Sequence, residues 1–208
     1  MVRELGSVRN LRCVILQQCG IIALTKIGET LKENPYILKG NSEGNSRSIM
    51  QDTKLSYIAG FLDGDGCIML QLIRRKDYKL GYEIRASVIF YQKQKNKYFL
   101  TWLKNQLKLG YLRDRNDGMS EYTIVGVKPV QQILQKIAPF LILKKEHCKV
   151  VLRVLKKMPQ GSRGMEAKKL LQLSKEVDKF FFLNYSKKRT NTSQKLEAYL
   201  RSHKILSP

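Results

Sequence analysis

Histidine is almost missing from this chain. Its 208 residues hold only His147 and His203. So few argue against a nuclease built on a histidine base, an HExxH zinc site or a His-rich metal tract. Cysteine is also sparse and unpatterned. Cys13, Cys19, Cys67 and Cys148 make no CxxC pair, so neither a zinc site nor a disulfide framework is expected. No apolar run is long enough to span a bilayer. Acidic residues are few as well, 17 Asp and Glu against 39 Lys and Arg. The chemistry left to this chain rests on carboxylates, Lys, Gln and water.

The resulting charge, +22, implies a polyanionic partner, and without a membrane span nucleic acid is the better reading. Composition alone leaves a ribosomal-type RNA binder open. Seven basic and four acidic side chains fall within residues 1–50, which leaves +19 on residues 51–208. The positive charge therefore belongs to the part expected to fold. Residues 1–50 read as an N-terminal extension. "VRNLRCVILQQCGIIAL" has the weak pattern of a targeting segment, and "KGNSEGNSRS", 39–48, reads as a Gly/Ser/Asn-rich linker. The expected domain is 51–208, with extra C-terminal helices from about 160.

Within it, Asp52 or Thr53 is positioned to cap a helix over roughly Lys54 to Asp63, stopped by Gly64 and Gly66. "CIMLQLIR", 67–74, reads as a strand. "YEIRASVIFY", 82–91, alternates, with Tyr82, Ile84, Ala86, Val88 and Phe90 on one face and Glu83, Arg85, Ser87, Ile89 and Tyr91 on the other. A helix is expected over about 96–109. "GYLRDR", "NDG" and "MSEYTIVGV" form a hairpin signal. Further helices are expected from Pro129 to about Ala138, over "KEHCKVVLRVLKKM", near 164–183 and over 193–202. The order α-β-β-α-β-β-α predicts an α+β fold, with a four-stranded antiparallel sheet packed on helices by one face. The other, polar face suits a DNA groove.

The first helix ends in "AGFLDGDG". A helix C-terminus carries unpaired carbonyls and partial negative charge, so carboxylates are badly placed there. Ala59, Gly60 and Gly64 fall largely on one side of this helix and allow another backbone to approach closely. Tyr57 and Phe61 are assigned to the same contact. If the partner is the same helix of a second copy, two Asp65 carboxylates and several carbonyls converge. Such a cluster calls for hard divalent cations such as Mg²⁺. Carboxylates with two metals beside a phosphodiester constitute a hydrolysis site. Asp63 is expected to do no more than shape the turn.

"YIAGFLDGDG", 57–66, resembles the single-copy LAGLIDADG motif of homing endonucleases. The resemblance extends through "FYQKQKNKYFL", "LGYLRDRNDG", "EYTI", "KPVQQIL", "APFLILKK" and "VLRVLKKMP", over roughly residues 53–160. It looks especially like the homodimeric group I intron enzymes of algal organelles. It implies Asp65 as the metal-binding acid and the Gly64 carbonyl as a neighbouring ligand. Gln92 is implied as the residue that holds water near the scissile phosphate, and Lys144 as the active-site lysine. One departure is Asn96, where the family usually has a basic residue; Lys95 or Lys97 stands ready to substitute. Glu121 stands where some relatives carry Asp.

On that fold, alternation places Gln71, Arg75, Tyr78, Glu83, Arg85, Ser87, Arg113 and Arg115 on or near the groove face as candidate DNA contacts. The resemblance implies a homodimeric, site-specific double-stranded DNA endonuclease. It would be active with Mg²⁺, with Mn²⁺ as a substitute, and would cut a long pseudo-palindromic site to leave 3′ overhangs for intron homing. A chloroplast location follows from the same resemblance, with the mitochondrion as alternative. An RNA-binding maturase and a non-cleaving DNA-binding regulator on the same scaffold are the rival readings.

Overall fold

The computed structural model describes residues 43–159, 164–184 and 190–206. The proposed targeting pattern in 1–42 lies outside the described residues. Helix α1 (Glu43–Asp65) leads directly into β1 (Gly66–Arg74), and β2 (Tyr82–Lys93) follows. A 3₁₀ turn (Gln94–Asn96) precedes α2 (Lys97–Leu107). Next come β3 (Tyr111–Asp114), β4 (Met119–Val125), α3 (Val127–Ile137) and a second 3₁₀ turn (Ala138–Phe140). Helices α4 (Lys145–Lys157), α5 (Ala167–Phe181) and α6 (Ser193–Ser202) complete the chain. The sheet order is β1-β2-β4-β3, and every pair is antiparallel. The expected αββαββα order and the extra helices are both present.

Two expectations about α1 are corrected. It begins at Glu43, inside the stretch read as a linker, and Asp52 and Thr53 do not cap it. The Thr53 hydroxyl donates back to the Ile49 carbonyl at 2.8 Å, and Ser56 does the same to Asp52. These are bonds of a continuous helix. Helix α2 is also shorter than expected. Lys108 adopts a left-handed conformation (φ 53°) and closes it.

The alternation in β2 sets the core. Tyr82, Ile84, Ala86, Val88 and Phe90 are all buried, as are Ile68, Leu70 and Leu72 of β1 beside them. Ile58, Ala59 and Leu62 of α1 pack into the same cluster, with apolar stripes from α2 to α6. Burial of each large aliphatic side chain contributes roughly 1.5–3 kcal/mol. This core lies on one face of the sheet, and Gln71, Tyr111 and Arg113 on the other face are exposed.

His147 fastens α4 to the end of α5. Its Nε2 pairs with the Leu183 carbonyl at 3.0 Å, and its ring meets Phe180 edge-on. Burial pushes its pKa below the ordinary histidine value. Lys144 pushes the same way, and the Leu183 carbonyl and Asn184 side chain only partly oppose them. A depressed histidine pKa means that folding favours the neutral ring. Its contribution is then complete above the unfolded-state value and is lost as pH falls through the folded one. The melting temperature should fall as pH drops below about 6.5, and His147→Gln should flatten that part of the profile. Calorimetry across pH 5–8 checks both.

Candidate active site

The site begins where α1 stops. No loop separates α1 from β1, because Gly66 starts the strand against the last helical turn. A Cβ at Gly66 would lie 2.9 Å from both the Cα and the carbonyl oxygen of Leu62. Only glycine fits there.

Asp63 and Asp65 have different environments. Asp63 is buried and does not shape its own turn, contrary to expectation. Its Oδ2 accepts the backbone N–H groups of Ile142 (2.7 Å) and Leu143 (3.1 Å), and its Oδ1 accepts that of Lys144 (2.9 Å). Lys144 Nζ returns a bond to the Asp63 carbonyl at 2.5 Å. A carboxylate taken from the helix end thus binds the loop that carries the lysine. Replacing Asp63 by Ala leaves three N–H donors without their acceptor and should cost about 2–4 kcal/mol. Urea denaturation should show that loss, and a smaller one for Asp63→Asn.

Asp65 is exposed, and among the described residues its side chain makes no hydrogen bond and no ion pair. This carboxylate stands exposed at a helix end in a chain of net charge +22 and is accessible to a cation. Beside it are the last carbonyls of α1, which no further helical turn can engage. These are hard oxygen donors and suit a divalent ion such as Mg²⁺. No group of three or more His, Cys, Asp or Glu side chains clusters within one chain among the described residues.

Gln92 and Lys144 are brought to the same region. Gly66 pairs with Phe90, so Gln92 lies two residues beyond the start of β1. Gln92 Oε1 accepts the Lys93 N–H at 3.0 Å and the Asn96 side-chain amide at 3.4 Å. Lys97 is engaged elsewhere, 2.6 Å from Asp114, whose other oxygen accepts the Ser120 hydroxyl at 2.7 Å. These two bonds hold the Asp114 carboxyl below its usual range. Lys95 has no partner among the described residues. Cys67, next along β1, has its thiol pKa pushed up by burial, with nearby Lys144 opposing.

The open face of α1 carries Tyr57, Gly60, Phe61 and Gly64. A Cβ at Gly60 or Gly64 would meet nothing within 4 Å among the described residues. Tyr57 is exposed, and with Phe61 it joins an aromatic group that includes Phe99 and Trp102. Ala59 is a correction: it is fully buried in its own chain's core and is not on this face. The helical turn sets it beside Ile58 and Leu62 instead. Sequence reasoning missed Ile142 and Leu143, which Asp63 holds at the end of α1 with 82% and 74% of their surfaces exposed. Two consecutive large apolar residues before Lys144 were the available signal.

Register arranges the polar sheet face. Gln71 faces Arg85, Ile73 faces Glu83, and Glu121 lies between Tyr91 and Arg113. Arg75 holds Asp77 by two bonds of 2.9 and 2.8 Å and covers Tyr78, whose hydroxyl accepts from Arg85 at 3.3 Å. Glu121, only 7% exposed, takes Arg113 at 2.9 Å and lies 4.0 Å from Arg115. It braces two candidate base readers from below. Ser87 is a second correction. It has the expected orientation but is buried, because β1 and β4 flank it on both sides.

Residues 58–147 match the family profile described as LAGLIDADG endonuclease. The DNA endonuclease I-CvuI of Chlorella vulgaris is 36% identical over 148 residues, 71% of this chain and 90% of that protein. The chain belongs to the LAGLIDADG endonuclease family. The DNA endonuclease I-CreI of Chlamydomonas reinhardtii is 34% identical over 148 residues, 71% of this chain and 89% of that protein. A solved structure of I-CvuI with its target and 2 mM Ca superposes with a TM-score of 0.72 at 33% identity, covering 76% of this chain and 99% of that one. The protein is thus a DNA endonuclease with the LAGLIDADG fold. The helix end bearing Asp65, the Lys144 loop and the whole sheet lie within the matched span.

Proposed function

We propose that this LAGLIDADG endonuclease works as a homodimer that cuts both strands of a long pseudo-palindromic DNA site. The open faces of two α1 helices pair through Gly60 and Gly64, flanked by Tyr57, Phe61, Ile142 and Leu143. Each protomer lays its sheet face along one half-site. Gln71, Arg75, Tyr78, Glu83, Arg85, Arg113 and Arg115 are its candidate contacts.

The observation that carries this reading is the combination of an exposed Asp65 with a helix face, both left without a partner by the described residues of the chain. Two such ends brought together bring two carboxylates and the Gly64 carbonyls to one place. Asp65 and Gly64 would hold Mg²⁺, or Mn²⁺ in its stead. The ions would supply charge stabilisation at the phosphate and a lowered water pKa. Lys144, fixed by Asp63, sets a positive charge beside the phosphodiester. Gln92 orders the neutral polar side of the site. The cuts fall across the minor groove and leave 3′ overhangs. The role is homing of an intron, in a chloroplast.

A plasmid carrying the uninterrupted host sequence should be linearised with Mg²⁺ and spared when EDTA removes the metal. Tight binding without cleavage across Mg²⁺, Mn²⁺ and Co²⁺ would sink the enzyme reading and favour the regulator.

A further inference from the structure

Gln92 is less free than its place at a strand end suggests. Its Oε1 accepts from the Lys93 backbone N–H at 3.0 Å and from Asn96 Nδ2 at 3.4 Å. A backbone N–H only donates, so the atom facing it is the amide oxygen. Reversing the amide would set Nε2 against two donors. What Gln92 has left to offer a ligand is Nε2, with two N–H groups.

The turn that carries Asn96 is itself anchored on both sides. Gln94 N–H donates to the Gly118 carbonyl at 2.9 Å, and its side chain donates to the Arg115 carbonyl at 3.0 Å. One residue after Asn96, Lys97 is tied to Asp114 at 2.6 Å. Asn96 is therefore held in place, and it is neutral where the basic side chain was expected.

We propose that Asn96 is a positioning residue for strand cleavage. By occupying Gln92 Oε1 it commits Gln92 to donate from Nε2 to an anionic oxygen of the scissile phosphate. Gln92 is then not the acceptor for a proton of the attacking water. As the water oxygen bonds to phosphorus and the bond to the departing oxygen breaks, Gln92 neither gains nor loses a proton. The water's proton leaves to solvent, and the departing oxygen takes one from solvent. Donation from Nε2 strengthens as charge grows on the phosphate, so it favours the transition state over the bound substrate. Asn96 needs no charge for this task; Lys144 and Lys95, which has no partner among the described residues, supply positive charge nearby.

This inference rests on Gln92 belonging to the cleavage site, as proposed above, and one set of measurements separates the two. Single-turnover cleavage is followed with the full-length dimer in excess, with Mg²⁺, on the host-site plasmid. Binding to the same DNA is followed in Ca²⁺. Asn96→Ala should cut about tenfold more slowly, with Kd unchanged. Asn96→Arg, which returns N–H donors to Gln92 Oε1, should recover the rate to within about threefold. Asn96→Asp sets acceptor against acceptor and should be at least as slow as Asn96→Ala. Gln92→Glu keeps the shape and removes both donors, so adding Asn96→Ala to it should slow cutting no further. Equal rates for wild type and Asn96→Ala overturn the proposal, as does an Asn96→Ala effect that multiplies with that of Gln92→Glu. If Asn96→Ala melts early, the Arg and Asp variants decide, and equal rates for those two overturn it. A wild-type enzyme that cuts, with rates indifferent to Asn96, refutes this inference alone. A wild-type enzyme that cuts with no divalent ion removes the parent reading, and this one with it.

Discussion

Replacing Asp65 by Asn should slow DNA cleavage by about a thousandfold or more while leaving the fold and DNA binding intact. The expectation follows from what Asp65 lacks. Its carboxylate has no hydrogen bond or ion pair among the described residues, so removing its charge breaks none of the described contacts inside the protomer. The substitution also relieves an unfavourable carboxylate at a helix C-terminus, worth about 0.3–1 kcal/mol per protomer. The variant should melt no earlier than the wild type, while Asp63→Ala, two residues away, melts much earlier. Cleavage by Asp65→Asn at the wild-type rate would refute the metal assignment. Gel shift in Ca²⁺, plasmid cleavage in Mg²⁺ and calorimetry together read all three properties.

Gly60→Leu should have the second largest effect, and an unusual one. A side chain at position 60 meets nothing among the described residues of its own chain. Leucine is also a better helix former than glycine, by roughly 0.5–1 kcal/mol. The isolated protomer should therefore be at least as stable as before. If two α1 helices pair across this face, however, four extra carbons per protomer hold the backbones apart. Sedimentation should then show the dimer weakened into monomers, and double-strand cutting should be lost with it. A Gly60→Leu protein that stays dimeric and cuts both strands would move the interface elsewhere. Ala59→Gly makes the contrasting control. It opens a small gap in the core at Ile58 and Leu62, and its cost should appear in protomer stability with little change in assembly.

Local patterns made much of this legible in the sequence. The period-two alternation of residues 82–91 specified which face of β2 is buried, and the Asp-Gly hairpin placed β3 against β4. The misplaced aspartate at the end of α1 pointed to Asp65. What escaped depended on distant partners or on crowding. No local pattern links Asp63 to the N–H groups of residues 142–144, about eighty positions away. The spacing of small residues suggested that Ala59 belonged with Gly60 and Gly64. Successive helix positions differ by 100°, and that turns Ala59 toward the core. Ser87 has the parity of a groove residue, but a central strand flanked on both sides covers so small a side chain. The Gly/Ser/Asn-rich stretch 39–48 looked like a linker because its residues have poor helix propensity. From Glu43 on, the helix extends through it.

The direct passage from α1 to β1 through Gly66 has a mechanical consequence. With no loop between them, the helix proposed to define the two-fold axis and the strand proposed to meet the DNA turn as one piece. Such a dimer behaves as a caliper with a locked jaw. It should forgive single-base changes, each costing about 1–3 kcal/mol. Changing the distance between half-sites is different. One added base pair at the centre of the target rotates one half-site against the other by roughly 34–36°, since a turn of duplex holds about 10–10.5 base pairs. The protein has no hinge at this junction to follow that rotation, so sites with altered spacing should be rejected even when every contacted base is correct.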